Sequence, residues 1–245
     1  MKLKTLNFCL LMAGFTVSSH GALSFTNNFT AGTSPNMTLG TPFNDSTVGG
    51  YTGPASTNFT GAFNITSGPG ARIYLGTNDT DYSSVDFSFE ADVVVPNTTN
   101  PWSIISLGMG TPDAPAGVPA TTNTISIFAR PDNGQLEVWD NAALGTAKTG
   151  VAVSNGTHGI RMEWNATTKL ATFLFDVGND GTYDPALTFS VNGADNGFNA
   201  SNSRLFLGGG NGLSFDNIVV NAIPEPSAAL LGGLGVLALL RRRRA

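Results

Sequence analysis

Cysteine is almost missing from this chain: the only one, Cys9, lies in an apolar run close to the N-terminus. The rest of the protein therefore cannot be held by disulfides, use a thiolate nucleophile or build a cysteine-ligated zinc site. Histidine is nearly as scarce, with His20 and His158 alone, which excludes multi-histidine metal centres. A serine triad would have to run through His158, in Asn155-Gly156-Thr157-His158-Gly159. No Gly-x-Ser-x-Gly elbow accompanies it, and its place just ahead of an alternating segment reads as a turn. Positive charge is sparse as well. Between Ala22 and Ala222 stand 16 acidic residues (17 less Glu225) and six basic ones (12 less Lys2, Lys4 and Arg241–Arg244), a formal charge of −10. Such a surface repels phosphate backbones, so nucleic acid is excluded as a partner. No amphipathic helical stripe occurs in this segment, and no apolar run reaches the ~20 residues that span a bilayer.

What is present starts with an address. Met1–Lys4 carries two lysines, Leu6–Val17 is apolar, and Ser18–Ala22 is small and polar, the order of a secretory signal peptide. Cleavage after Gly21 puts Ser19 at the minus-three position. The expected organisation is a signal peptide over 1–21, one domain over 22–222 and a distinct tail over 223–245. About 200 residues without a disulfide need a sizeable core, and that length suffices for one sandwich-sized domain.

The domain alternates. Val85, Phe87, Phe89, Ala91, Val93 and Val95 point one way, with Asp86, Ser88, Glu90 and Asp92 between them, the period-two pattern of a half-buried strand. Ile160, Met162 and Trp164 do the same, then Ala171, Phe173, Phe175 and Val177, and Asn165–Lys169 suits the hairpin between them. Further strands are expected at Asn58–Thr66, Arg72–Leu75, Trp102–Met109, Thr124–Arg130, Gln135–Asp140, Leu187–Val191, Arg204–Gly208 and Leu213–Asn221. Turn residues separate them, at Pro131–Gly134, Asn179–Gly181 and Gly208–Gly212. Ala31–Gly70 reads as long loops with short strands, and Thr111–Asn123 as a Pro/Ala-rich loop. Many short strands with turn chemistry between them predict an all-β antiparallel sandwich.

Chemistry is thin. Glu90 and Asp92 share one strand face, like the paired carboxylates of glycoside hydrolysis. They resemble the Glu-x-Asp-x-x-Glu strand of jelly-roll β-glucanases, but the third acid is replaced by Val95, so no proton donor is present and no catalytic residue is assigned. Asp176, Asn179, Asp180 and Asp184 cluster oxygen ligands around a turn and are candidate ligands for a structural calcium. Asp216 is a further candidate. No other cofactor is expected. Trp164 alternates with core positions and is expected to be core. Trp139 is out of phase with Leu136 and Val138 and is the candidate platform for a sugar ring.

The C-terminus reads Ile223-Pro224-Glu225-Pro226, then the apolar stretch Ser227–Leu240, then Arg241, Arg242, Arg243 and Arg244. As a helix the fourteen-residue stretch reaches roughly 21 Å, short of the ~30 Å hydrocarbon core. The tail closely resembles the PEP-CTERM sorting signal of Gram-negative bacteria, in motif, short apolar helix and terminal arginines. The resemblance implies transient anchoring in the inner membrane and processing by an exosortase-type membrane protease. Delivery to the cell surface or extracellular matrix would follow. Over Tyr82 to Asn221 the domain resembles the concanavalin-A/laminin-G-like jelly roll. The resemblance lies in strand order, the Asp86–Val95 and Gly159–Asp176 strands, and the Phe215-Asp216-Asn217 ending. Together these predict a non-enzymatic surface or matrix protein that binds glycan in the exopolysaccharide layer. The alternatives are a structural or adhesive envelope component without a small ligand, and, last, a glycan hydrolase.

Overall fold

The computed structural model describes residues 23–29, 36–39, 43–44, 56–66, 71–79, 81–96, 105–110, 124–132, 135–140, 148–193, 203–210 and 212–223. These residues form sixteen strands. In chain order they are β1 Phe25–Asn27, β2 Met37–Leu39, β3 Phe43–Asn44, β4 Ser56–Asn58, β5 Phe63–Thr66, β6 Ala71–Thr77, β7 Asp86–Val95 and β8 Ile105–Gly110. There follow β9 Thr124–Asp132, β10 Gln135–Asp140, β11 Lys148–Ala152, β12 Gly156–Asn165, β13 Leu170–Asp176, β14 Phe189–Asn192, β15 Arg204–Gly209 and β16 Ser214–Ile223. All fall within one compact unit, His20–Glu225.

Two antiparallel sheets result. The first runs β14-β13-β12-β7-β16-β5-β4, with β1 also paired to β16; the second runs β11-β10-β9-β8-β15-β6-β2, with β3 also paired to β6. Alternation explains how they stack. Phe87, Phe89, Ala91, Val93 and Val95 of β7, Ile160 and Met162 of β12, and Phe173 and Phe175 of β13 turn to one side. Leu107 and Met109 of β8, Ile125 and Ile127 of β9, and Leu205 and Leu207 of β15 meet them in a single buried cluster. Burying each such side chain is worth about 1.5–3 kcal/mol, which is how a disulfide-free sandwich holds together. Trp164 is in this core, 3 % exposed, with its indole N–H donating to Ser83 O at 3.2 Å.

The β12–β13 hairpin lies where the pattern predicts. Asn165 Oδ1 accepts from Thr168 N at 2.7 Å and Lys169 takes the left-handed φ of 55°. Other boundaries differ from the sequence-based expectation. Asn58–Thr66 is not one strand but the β4–β5 hairpin, because Asn58 Oδ1 turns back to accept from Thr60 N (3.2 Å) and Asn64 Nδ2 (3.0 Å). Leu187 ends a 3-10 turn begun by Pro185 and capped by Asp184, so the strand starts at Phe189. His158 is not in a turn but is the third residue of β12, 4 % exposed. Strands β1, β2, β3 and β11 are short or lack clear alternation and were not expected individually.

The closing strand β16 carries a bulge between Asp216 and Val219, with Asn217 at φ 48°. The extra residue returns Ile218 and Val220 to the core after Phe215.

Candidate functional site

Charge in the first sheet collects at the positions that alternate with its core residues. β7 contributes Asp86, Glu90 and Asp92, β12 Arg161 and Glu163, β13 Asp176, and β16 Asp216. Register sets their neighbours: Arg161 lies opposite Glu90, Glu163 opposite Ser88, and Asp216, Asp92, Gly159 and Asp176 form one row across four strands. Six carboxylates thus share a sheet with one guanidinium.

That guanidinium, Arg161, meets two carboxylates through its terminal nitrogens, while its buried Nε has no hydrogen-bond partner. It bonds Glu163 Oε1 at 2.7 Å, lies 4.0 Å from Glu90 Oε1, and stands 5.8 Å from the centre of the Tyr183 ring. Burial alone would lower its pKa, but Tyr183, Glu90 and Glu163 together raise it above the ordinary value. Burial first and the Glu90 charge second push the Tyr183 phenol up, so it stays protonated and donates to Glu90 Oε2 at 3.4 Å. Asp92 Oδ2 accepts from Asn217 Nδ2 at 2.7 Å, a contact made possible by the bulge. Glu90 and Asp92, the pair with a hydrolase-like spacing, are therefore both engaged by neighbours.

Beside this network a groove of about 270 Å³ opens at the Asp86 end of the sheet. Exposed Leu170 and Ile223, with Phe87 and Trp164, form its apolar part, and Asp86, Ser88, Arg161, Glu163, Asn165 and Thr172 its polar part. Asp86 Oδ1 accepts from Ala166 N at 2.8 Å, tying the β12–β13 hairpin to the rim. Sequence reasoning missed this groove. Its one signal was an exposed apolar residue at each of two strand ends, Leu170 and Ile223.

The candidate calcium ligands fall in two places, the turn after β13 and, apart from it, Asp216 on β16. Asp176 Oδ1 and Oδ2 accept from Asp180 N (3.0 Å) and Gly181 N (2.7 Å), Asp180 Oδ1 from Thr182 N (2.8 Å), and Asp184 Oδ1 from Ala186 N (2.8 Å). Asn179 takes the left-handed φ of 55° that the turn demands. Asp216 lies three strands from Asp176, about 14 Å at the usual strand spacing. Among the described residues no group of three or more acidic, His or Cys side chains is placed to hold a metal ion. Each carboxylate of this loop gives at least one oxygen to the loop's own backbone, and Asp180 and Asp184 each keep their Oδ2 out of those bonds. Trp139 lies on β10 opposite Phe128, and its side chain is outside the described residues. Trp102, Pro224, Glu225, Pro226 and Arg241–Arg244 are likewise outside them. Among the described residues no helix is long and apolar enough to cross a membrane.

His158 ties the Ser154 loop to this same turn. Its Nε2–H donates to Ser154 O at 2.9 Å and its Nδ1 accepts from Gly178 N at 3.1 Å, so the ring is held neutral. Burial lowers its pKa, against weaker opposing effects of Ser154 and Asp176. A depressed folded value means that protonation favours the unfolded chain. The stability His158 contributes is complete above its unfolded value near 6.5 and is lost as pH falls below that toward the folded value. Urea midpoints measured on descending pH are expected to drop through that window, and less steeply in His158→Gln. An identical slope in the variant would refute the assignment.

No protein-family model matches the sequence, and no curated protein does. Solved structures match it in fold. Lectin II from Ulex europaeus superposes with a TM-score of 0.58 at 13 % identity, over 82 % of this chain and 98 % of the lectin. Winged bean acidic lectin, complexed with methyl-α-D-galactose, gives 0.56 at 12 %, over 81 % and 97 %. The exoplasmic/lumenal domain of VIP36, in a Ca²⁺/Man2-bound form, gives 0.55 at 10 %, over 84 % and 91 %. The chain is thus an all-β jelly-roll sandwich of the legume-lectin type. At these identities the likeness is one of fold.

Proposed function

We propose that this chain is an exported cell-surface or matrix protein whose sandwich binds glycan on the outer side of its first sheet, without catalysing a reaction. The groove carries this reading. It sets exposed apolar side chains, Leu170 and Ile223, among hydrogen-bonding ones, Asp86, Ser88, Glu163 and Thr172. Sugars need that combination, because a pyranose offers a C–H face to apolar groups and hydroxyls to polar ones. The shared fold with sugar-binding lectins supports it. Export follows from the N-terminal signal. The Pro224-Glu225-Pro226 tail directs sorting through an exosortase-type protease, with an exopolysaccharide as the natural ligand at the destination.

One experiment tests both halves. Produced in an exosortase-bearing Gram-negative host, the chain is expected at the cell surface with its tail removed. The recovered protein is expected to retain polysaccharide in an array or pull-down. An intact tail held in the inner membrane would sink the sorting half. Silence across the array would favour a structural envelope component instead.

A further inference from the structure

The fixed charges of the groove specify which sugar it takes, and this deduction rests on the glycan-binding reading above. We propose that the groove selects amino sugars carrying a free, protonated amine, as found in de-N-acetylated hexosamine polymers, over their acetylated, neutral or acidic counterparts.

Two carboxylates line the groove, and each keeps one oxygen available. Asp86 uses Oδ1 for Ala166 N, and Glu163 uses Oε1 for Arg161; neither has another hydrogen bond or ion pair among the described residues. Glu163 stands opposite Ser88, so Asp86, two residues along β7, is its diagonal neighbour, at a Cα separation of about 7–8 Å. An ammonium held between them donates to both, and it has three N–H groups to do so. The lining offers neutral hydroxyl and amide donors, but no cation free of carboxylate partners, to a negative ligand. Arg161 is the one cation there and is already engaged by Glu163, Glu90 and the Tyr183 ring.

The wider sheet biases the same way. Apart from buried Asp176, its five carboxylates against one guanidinium concentrate cations at the surface and repel uronates and sulfated sugars. The apolar part adds the ring contact. Leu170 (38 % exposed) and Ile223 (53 %) are two of the four large apolar side chains exposed among the described residues, and both line this groove. At about 270 Å³ the space is just under the ~300–1,000 Å³ usual for ligand sites, which suits one sugar residue of a longer chain.

The test uses the full-length protein and three probes: a β-1,4-glucosamine hexamer, its fully N-acetylated counterpart and polygalacturonate. Titration calorimetry is expected to show the free-amine hexamer bound roughly tenfold or more tighter than the acetylated one, as a charge-assisted hydrogen bond supplies. Polygalacturonate is expected not to bind. Glu163→Gln removes that preference, whereas Asp79→Asn, an exposed acid in the loop that follows β6, preserves it. Ile223→Asn weakens both hexamers alike, a readout that stands if Glu163→Gln fails to fold. Equal affinity for the two hexamers would overturn the amine selectivity and leave glycan binding standing. Equal losses in Glu163→Gln and Asp79→Asn would reduce the effect to net charge and overturn the groove as its source. No binding of any probe, together with a silent glycan array, would take down the glycan reading and this inference with it.

Discussion

Gly208→Ala is expected to destabilise the sandwich by about 2–3 kcal/mol, the upper part of the range for overpacking a filled interior. Gly208 sits in β15 between β6 and β8, opposite Tyr74 and Ser106. A Cβ there would run into Ile73 O and come within 2.7 Å of Tyr74 Cα and 2.8 Å of Tyr74 Cδ1. Two of those atoms are backbone, so relief requires the strands to part, and hydrogen bonds of the second sheet are lost. For a domain of this size the melting temperature should fall by roughly 5–10 °C. Gly76, also in the second sheet, is the built-in control. Its added Cβ would meet only Leu205 O at 3.8 Å, and its φ is not in the left-handed region. Gly76→Ala should be neutral or stabilise by up to about 1 kcal/mol, through the lower entropy of the unfolded chain. Thermal melts of the two variants side by side decide it, and equal melting temperatures would refute the close approach at Gly208.

Asp176→Ala should cost about 3–5 kcal/mol, because its buried carboxylate holds two backbone N–H groups by charge-assisted bonds of ~1.5–3 kcal/mol each. Loss of the acceptor strands Asp180 N and Gly181 N and releases the turn that also receives His158. Asp176→Asn, which keeps one acceptor oxygen, should recover part of the loss. Because both oxygens of Asp176 are already spent on the loop's backbone, millimolar calcium is expected to leave the melting temperature of the unaltered protein unchanged. A calcium-dependent rise that disappears in Asp176→Ala would restore the loop as a metal site. The same residue therefore separates a turn that organises itself from one organised by an ion.

The legible parts of the fold are those where burial alternates cleanly. Phe87 to Val95 and Ile160 to Trp164 fall on the core side as the period-two pattern requires, and Asn165–Lys169 is the hairpin between β12 and β13. The bulge in β16 also left a trace, a phase change from Leu213 and Phe215 to Ile218 and Val220. The β4–β5 hairpin left none, because polar Asn58, Thr60 and Asn64 reverse the chain through their own side-chain bonds. His158 was misplaced for a related reason. A polar residue next to a Gly reads as a turn, yet two backbone partners more than offset the cost of burying it.

Composition and pattern alone determined that this is a disulfide-free, acidic, all-β domain. Those properties are sums or short periods, and a linear string carries them in full. Tertiary structure decided which acids meet. Asp92 and Asp216 are 124 positions apart in the chain and adjacent in the sheet, while Asp180 and Asp184, close in sequence, each bond their own backbone. It also decided that Leu170 and Ile223 open into one groove beside Asp86 and Glu163. Strand order and register, set by the packing of two whole sheets, bring such residues together, and no local pattern encodes them.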